Sequence, residues 1–250
     1  MRKAIIIQAR TGSKRYPNKI LKKIDYRSVL EFLIEKLIIY FSKDELIIAT
    51  TNKKNDKKIC SIAKNYNINF FKGNENDLVK RYFKCAKKFK ISIIIRVTSD
   101  CPLIDPLLIN KMLKYFTRKN LDYYSNTCPP NLSRFPDGSD IEIFNFKSLQ
   151  KLNILKQSKS DREHLAGFWK NNKIFNTKLL SKKNNLSKYK FSLDYKSDLI
   201  LLKSIVKNLK KKNMNGSADQ IVHLIKRNSK LKKISNINRL KYLKNRVNIT

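Results

Sequence analysis

The residues best suited to chemistry gather at the first turn of the chain. The uncharged run Ala4-Ile5-Ile6-Ile7-Gln8 opens into Ala9-Arg10-Thr11-Gly12-Ser13-Lys14-Arg15-Tyr16-Pro17-Asn18-Lys19. Backbone N–H groups around Gly12 and Ser13, with Arg10, Arg15 and Lys19 beside them, make a cradle for a polyphosphate. The carboxyl end of a first buried strand is where open α/β sheets bind nucleotides. The spacing is neither GxxxxGK[ST] nor GxGxxG, so a basic surface loop is an equal reading of the same residues.

Carboxylates are scarce, 19 Asp+Glu against 56 Lys+Arg, so their positions at strand ends are informative. Asp100 follows the buried run Ile93-Ile94-Ile95, and Asp194 ends Phe191-Ser192-Leu193-Asp194. Two such carboxylates can converge over a sheet and, with phosphate oxygens and water, suit Mg²⁺. Alternatively they cap the helices that follow, which is the preferred reading for Asp105 and Asp198. Asp137, Asp140 and Glu142 crowd a short stretch and would repel one another without a partner. They form either a Pro-Asp-Gly turn feeding a strand or a polar wall for sugar hydroxyls or a cation. Asp161-Arg162-Glu163-His164 reads as an N-capped helix start with acids at its positive end. His164 is structural there unless another feature brings it to a site.

The elements that must position these residues alternate. Strands are expected at 4–8, 46–49, 69–71 and 93–95, and helices at 28–41, 55–66, 76–90 and 106–118, the last with Pro106 in its first turn. The apolar faces are Val29, Leu30, Leu33 and Leu37; Ile59, Ile62, Ala63 and Tyr66; and Val79, Tyr82, Phe83 and Ala86. Repeated βα units imply a mainly parallel sheet flanked by helices, an α/β Rossmann-like fold. Beyond 120 the pattern changes to a loop at 126–135, a strand at 140–144 with one wet face, helices at 147–157 and 161–171, a strand at 191–194, and a helix at 196–209. One domain spanning 1–212 is expected, with an excursion at about 120–175 for the acceptor side or a homodimer contact. A helical, basic extension at 213–250 follows.

The net charge of +37 would suit nucleic acid. The lysines are nevertheless spread along the whole chain, and Lys, Asn and Ile, all with AT-rich codons, dominate; compositional bias explains the charge and nucleic acid is not the expected partner. No apolar stretch reaches the ~18 residues of a membrane span, and four apolar residues after Met-Arg-Lys are too few for a signal-peptide core. A cytoplasmic protein with four free cysteines is expected; two histidines and no CxxC make a zinc site improbable.

These motifs, in this order, resemble the nucleotide-sugar cytidylyltransferases, specifically the branch like the spore-coat-polysaccharide-biosynthesis cytidylyltransferases. The residues that carry the resemblance are Ile7–Lys19, Lys72-Gly73-Asn74-Glu75-Asn76-Asp77 through Tyr82, Arg96-Val97-Thr98-Ser99-Asp100-Cys101-Pro102, Phe135–Phe144, Arg162-Glu163-His164 and Leu193–Leu199. Where the family usually has Gly, this chain has Asn18, which can keep a left-handed turn. The resemblance implies a Rossmann-like nucleotidyltransferase of glycosyltransferase-A-like fold. It implies that Arg10, Gly12, Ser13, Arg15 and Lys19 hold the CTP triphosphate, with Gln8 and Ala9 near base or ribose and Arg81 on the nucleotide. It places Mg²⁺ on Asp100 and Asp194, and an acidic acceptor sugar against Asp137, Asp140, Glu142, Arg162 and His164. Lys19, Arg15 and Asp100 would serve the attack of a sugar hydroxyl on the α-phosphorus. A glycosyltransferase of similar fold is the rival reading, but Ser99-Asp100-Cys101 lacks its Asp-x-Asp pair. A basic RNA-binding module would interleave exposed aromatics with cations, whereas Tyr82 and Phe83 fall at helix-core spacing.

Overall fold

The computed structural model describes residues 1–171, 173–214 and 216–247. The chain begins with β1 (Lys3–Gln8), a small hairpin of β2 (Lys23–Ile24) and β3 (Arg27–Ser28), and α1 (Val29–Ile38). It continues through β4 (Leu46–Thr51), α2 (Lys57–Asn65), β5 (Asn69–Gly73), α3 (Leu78–Lys88), β6 (Ile93–Thr98) and α4 (Pro106–Arg118). Then follow β7 (Tyr123–Ser125), β8 (Glu142–Asn145), α5 (Phe146–Ile154), α6 (Lys159–His164), α7 (Gly167–Lys170) and β9 (Thr177–Leu179). Three helices close the described chain: α8 (Lys196–Lys211), α9 (Ala218–Arg227) and α10 (Ser229–Val247).

Seven strands form one sheet in the order β5-β4-β1-β6-β8-β7-β9. The first four are mutually parallel, and β8 alone runs against both of its neighbours. The isoleucine-rich strands bury both faces, as parallel strands must. Ile5, Ile7, Ile48 and Ile95 pack under α1, α2 and α4. Ala4, Ile6, Ile47 and Ile94 pack under α3, α5 and α7. A third cluster, beyond the sheet, joins α8 and α9 to Phe191 and Leu193. No helix among the described residues is long and apolar enough to cross a membrane.

Local signals place the helix starts. Ser28 and Glu31 make a reciprocal capping box on α1. Asp77 caps α3, and Asp105 accepts from the backbone of Leu107 and Leu108 at the start of α4.

Four expectations need correction. Residues 191–194 are not a strand; they are extended chain tied down by a single parallel bridge, Asp137 to Lys190, and by the Leu193 N–H on the Asp100 carbonyl at 2.8 Å. The helix expected at 161–171 is two helices, broken where Leu165 takes φ 54. The strand expected at 140–144 begins at Glu142 and has no wet face, because helices cover both sides of the sheet there. Strands β7 and β9, three residues each, fall where no strand was expected.

Candidate active site

The loop after β1 is shaped from within and from below. Asn18 adopts φ 56, ψ 25 and starts the short turn that carries Lys19. Its N–H reaches back to the Thr11 carbonyl at 3.1 Å, which closes the loop. From below, the buried Asp56 accepts both the Thr11 N–H (2.8 Å) and the Thr11 hydroxyl (2.6 Å), and its other oxygen accepts from Thr51. Burial alone would raise the Asp56 pKa, but these donors hold it below the usual carboxylate range. Asp56 therefore fixes the loop, and the sequence reading did not single it out.

The sharpest concentration of charge lies where the loop meets the ends of β6 and the 190–194 segment. Lys19 Nζ is 2.5 Å from Asp100 Oδ2 and 3.2 Å from Asp194 Oδ1. Arg15 donates to the same Asp194 oxygen at 2.7 Å. Burial works against charge on all three of Lys19, Asp100 and Asp194. The mutual attraction outweighs it: the Lys19 pKa is raised, and those of Asp100 and Asp194 are lowered. All three are thus charged at neutral pH.

Asp194 is held from behind by a residue the sequence reading missed. Lys190 is buried, and its Nζ donates to the Ser192 carbonyl and Asp198 Oδ2, both at 2.8 Å, and lies 3.3 Å from Asp194 Oδ2. Asp198 caps α8 by accepting the N–H groups of Asp194 and Tyr195. The signal was present: in extended chain, Lys190, Ser192 and Asp194 fall on one side.

The Asp137–Asp140 stretch is joined to this segment. Ser192 Oγ donates to Asp137 Oδ2 at 3.1 Å, and the Gly138 N–H donates to Asp140 Oδ2 at 2.7 Å. Gly138 takes φ +96, and a Cβ there would sit 2.3 Å from the Ser192 N. Gly138→Ala is expected to cost at least ~2 kcal/mol from strain and clash, with a drop in turnover as Asp194 shifts, read by denaturant melts and pyrophosphate release. Burial, then Asp140, pushes the Asp137 pKa up to about 7. An acid raised in the folded state holds its proton longer than in the unfolded chain, so its folded-state advantage is complete below about pH 4 and gone above about pH 7. Asp137→Asn should remove a decline of about 2–4 kcal/mol in stability across that window, read by urea melts at pH 5 and pH 8.

Along one face of the sheet runs a polar chain. Gln8 Oε1 accepts from Arg96 Nε (3.2 Å) and NH2 (3.0 Å). Arg96 NH1 pairs with Glu142, whose other oxygen accepts from the Tyr123 hydroxyl at 2.7 Å. Glu142 is buried and fully engaged here, so it acts through Arg96 rather than as an open wall of a pocket.

The remaining expected residues form the opposite rim. Arg10 donates to Glu163 Oε1 at 3.2 Å and lies 3.9 Å from Glu75. Gly12 faces Glu75, the Ser13 N–H donates to the Thr11 carbonyl at 2.9 Å, and Ala9 is buried against β4. Arg162 pairs with Asp77 at 2.9 Å and bonds Asn153, while His164 is exposed at the end of α6. Arg81 is 1 % exposed and donates to the Asn74 carbonyl at 2.8 Å, under a glycine, Gly73, whose Cβ would strike it. It props the 74–77 loop from beneath instead of lying open to a nucleotide. A cavity of about 270 Å³, lined by Leu103, Phe135, Phe191 and Ile221 among others, lies elsewhere; neither Lys19, Asp100 nor Asp194 lines it.

A family model described as cytidylyltransferase matches residues 4–245. A solved cytidylyltransferase from Leptospira borgpetersenii superposes with a TM-score of 0.86 at 32% identity, covering 94% of this chain and 98% of that one. An uncharacterised protein of Methanocaldococcus jannaschii is 32% identical over 241 residues, 95% of this chain and 96% of its own. The spore coat polysaccharide biosynthesis protein SpsF of Bacillus subtilis is 26% identical over 231 residues, 89% of this chain and 93% of its own. Matched by that model over nearly its whole length, on a sheet whose strand ends converge on these charges, the chain belongs to the cytidylyltransferase family and is a CTP-dependent nucleotidyltransferase.

Proposed function

We propose that this enzyme activates an acidic sugar of the nonulosonic-acid type with CTP, giving CMP-sugar and pyrophosphate, in the cytoplasm, for surface polysaccharide synthesis. The observation that carries the reading is the Lys19 ammonium set between Asp100 and Asp194 at the mouth of the β1 loop. The resemblance to SpsF supports the polysaccharide setting.

Asp100 and Asp194 fit a divalent ion of the Mg²⁺ type. They offer oxygen donors only and already converge on one cationic group. No group of three or more His, Cys, Asp or Glu among the described residues is arranged for a metal, so phosphate and water would complete the shell. Bound there, such an ion supplies Lewis-acid neutralisation of phosphate charge.

The chain's own residues do the positioning. Arg15 and Lys19, now paired with carboxylates, turn to the triphosphate as it enters, and Arg10 leaves Glu163 and Glu75 for the same charge. The acceptor hydroxyl oxygen bonds to the α-phosphorus as the bond to the bridging oxygen of pyrophosphate breaks. The hydroxyl proton passes to solvent or to a nearby carboxylate. Lys19 and Arg15 stabilise the charge that grows on the leaving pyrophosphate. A pyrophosphate-release assay with CTP, Mg²⁺ and parallel panels of acidic sugars and neutral sugar phosphates tests the reading. Release with an acidic sugar supports it, and release only with neutral sugar phosphates overturns the acceptor class.

A further inference from the structure

We propose that the Gln8 side-chain amide is the hydrogen-bond donor that receives the carboxylate of the acceptor sugar. The proposal rests on the acidic-sugar reading above.

Three observations carry it. First, the orientation of the amide is forced. Arginine has donors and no acceptor, and two of its N–H groups reach one Gln8 atom, at 3.2 and 3.0 Å. That atom must be the oxygen, so what Gln8 can offer a ligand is the N–H pair of Nε2. Second, Arg96 cannot turn to accommodate the opposite orientation. Its NH1 is paired with Glu142, Glu142 is held by the Tyr123 hydroxyl, and both acid and tyrosine are buried. The row therefore runs from β7 through β8 and β6 to β1, and its members sit in register or on neighbouring diagonals of the sheet: Arg96 pairs with Glu142, and Gln8 lies two residues beyond Ile6, the partner of Arg96. Third, the row ends at a partly exposed residue at the carboxyl end of β1, where Gln8 O also accepts the Ser99 N–H one residue before Asp100.

Gln8 thus stands between the two halves of the site. Its backbone belongs to the strand that feeds the phosphate loop. Its side chain belongs to the row on the Glu142 side, where the Asp137–Asp140 stretch lies. A donor-only amide backed by a fixed guanidinium is a pole for an anionic oxygen. It rejects a group that presents a donor of its own, because the amide cannot flip without leaving two Arg96 N–H groups unpaired.

The test is Gln8→Glu, with Gln8→Met beside it. The glutamate keeps an oxygen for Arg96 and replaces the outward N–H by a second oxygen, so folding is preserved while the ligand-facing group changes from donor to repelling acceptor. With the acidic sugar that the wild-type enzyme turns over, Gln8→Glu is expected to raise the acceptor KM by about 10- to 100-fold, the range for a hydrogen bond to a charged group. Gln8→Met should give a smaller rise. Affinity for Mg²⁺-CTP by calorimetry should stay within about twofold in both variants, and the melting temperature should not move in Gln8→Glu, whereas Gln8→Met, which leaves two Arg96 N–H groups without their acceptor, should melt lower. An unchanged acceptor KM in Gln8→Glu, or a loss that falls on CTP instead, overturns the assignment to Gln8 while leaving the acidic-sugar reading intact. Failure of the wild-type enzyme to use any acidic sugar overturns both together.

Discussion

Replacing Lys19 by Met should lower the melting temperature in metal-free buffer by roughly 10 °C, and millimolar Mg²⁺ should recover much of that loss. The ammonium is the group on which Asp100 and Asp194 converge. Without it Asp194 keeps Arg15 and Lys190, but Asp100 faces it with no ion-pair partner among the described residues. Removing one member of a buried pair costs about 3–5 kcal/mol, and each kcal/mol moves the melting temperature of a chain this size by about 2–4 °C. The Asp100 pKa, now held low by Lys19 against its burial, should rise, so the loss should be deepest above neutrality and smaller in acid. A divalent cation entering between the two carboxylates would take over the role of the ammonium. Mg²⁺ should therefore stabilise the variant more than it stabilises the wild-type protein. Melts in EDTA and in Mg²⁺ decide the matter; a variant indifferent to Mg²⁺ would show that the two carboxylates do not form a cation site. Turnover should fall by about 10²–10³-fold, since the leaving pyrophosphate loses a fixed positive charge.

Asp100→Asn is expected to leave the fold standing and to reduce turnover by about a thousandfold or more. The exchange is nearly isosteric. The backbone role of residue 100, whose carbonyl accepts the Leu193 N–H at 2.8 Å, does not depend on the side chain. Stability should stay within about 1 kcal/mol of wild type, because the buried cation Lys19 retains Asp194. The reaction is affected far more. A neutral amide is a weak ligand for a hard cation, and losing about 4 kcal/mol of transition-state charge stabilisation is a thousandfold in rate. Circular dichroism with steady-state kinetics separates the two effects, and undiminished CMP-sugar formation by this variant would remove Asp100 from the mechanism.

The parallel half of the fold was legible because its physics is local. Isoleucine runs, apolar helix faces and the caps at Ser28, Asp77 and Asp105 lie within a few residues of the elements they specify. The left-handed Asn18 and the capping roles of Asp105 and Asp198 could be read for the same reason. Beyond residue 120 the helices at 147–157 and 196–209 were legible in the same way, but the strands were not, because they are three or four residues long and take their pairing from distant chain. Residues 191–194 have a strand-like pattern, yet they run as extended chain into α8, packed at Ser192 against the sequence-distant turn at Gly138. Within the site, charged residues with distinctive neighbours could be found from the motifs. Lys190 and Asp56 could not, since one is a lysine among many and the other serves by gripping a loop 45 residues away in sequence. Glu142 and Arg81 stand out in the motifs as site candidates, but burial makes them supports for Arg96 and for the 74–77 loop.

In the proposed reaction the charges around Lys19 direct a sugar hydroxyl to the α-phosphorus of CTP. Phosphorus NMR of CTP mixed with enzyme, Mg²⁺ and an acidic sugar follows each phosphorus separately. The β- and γ-phosphorus signals are expected to leave together as pyrophosphate while the α-phosphorus appears in a CMP-sugar diester. Release of orthophosphate from the γ-position, or transfer of the β- and γ-phosphates to the sugar, would contradict it.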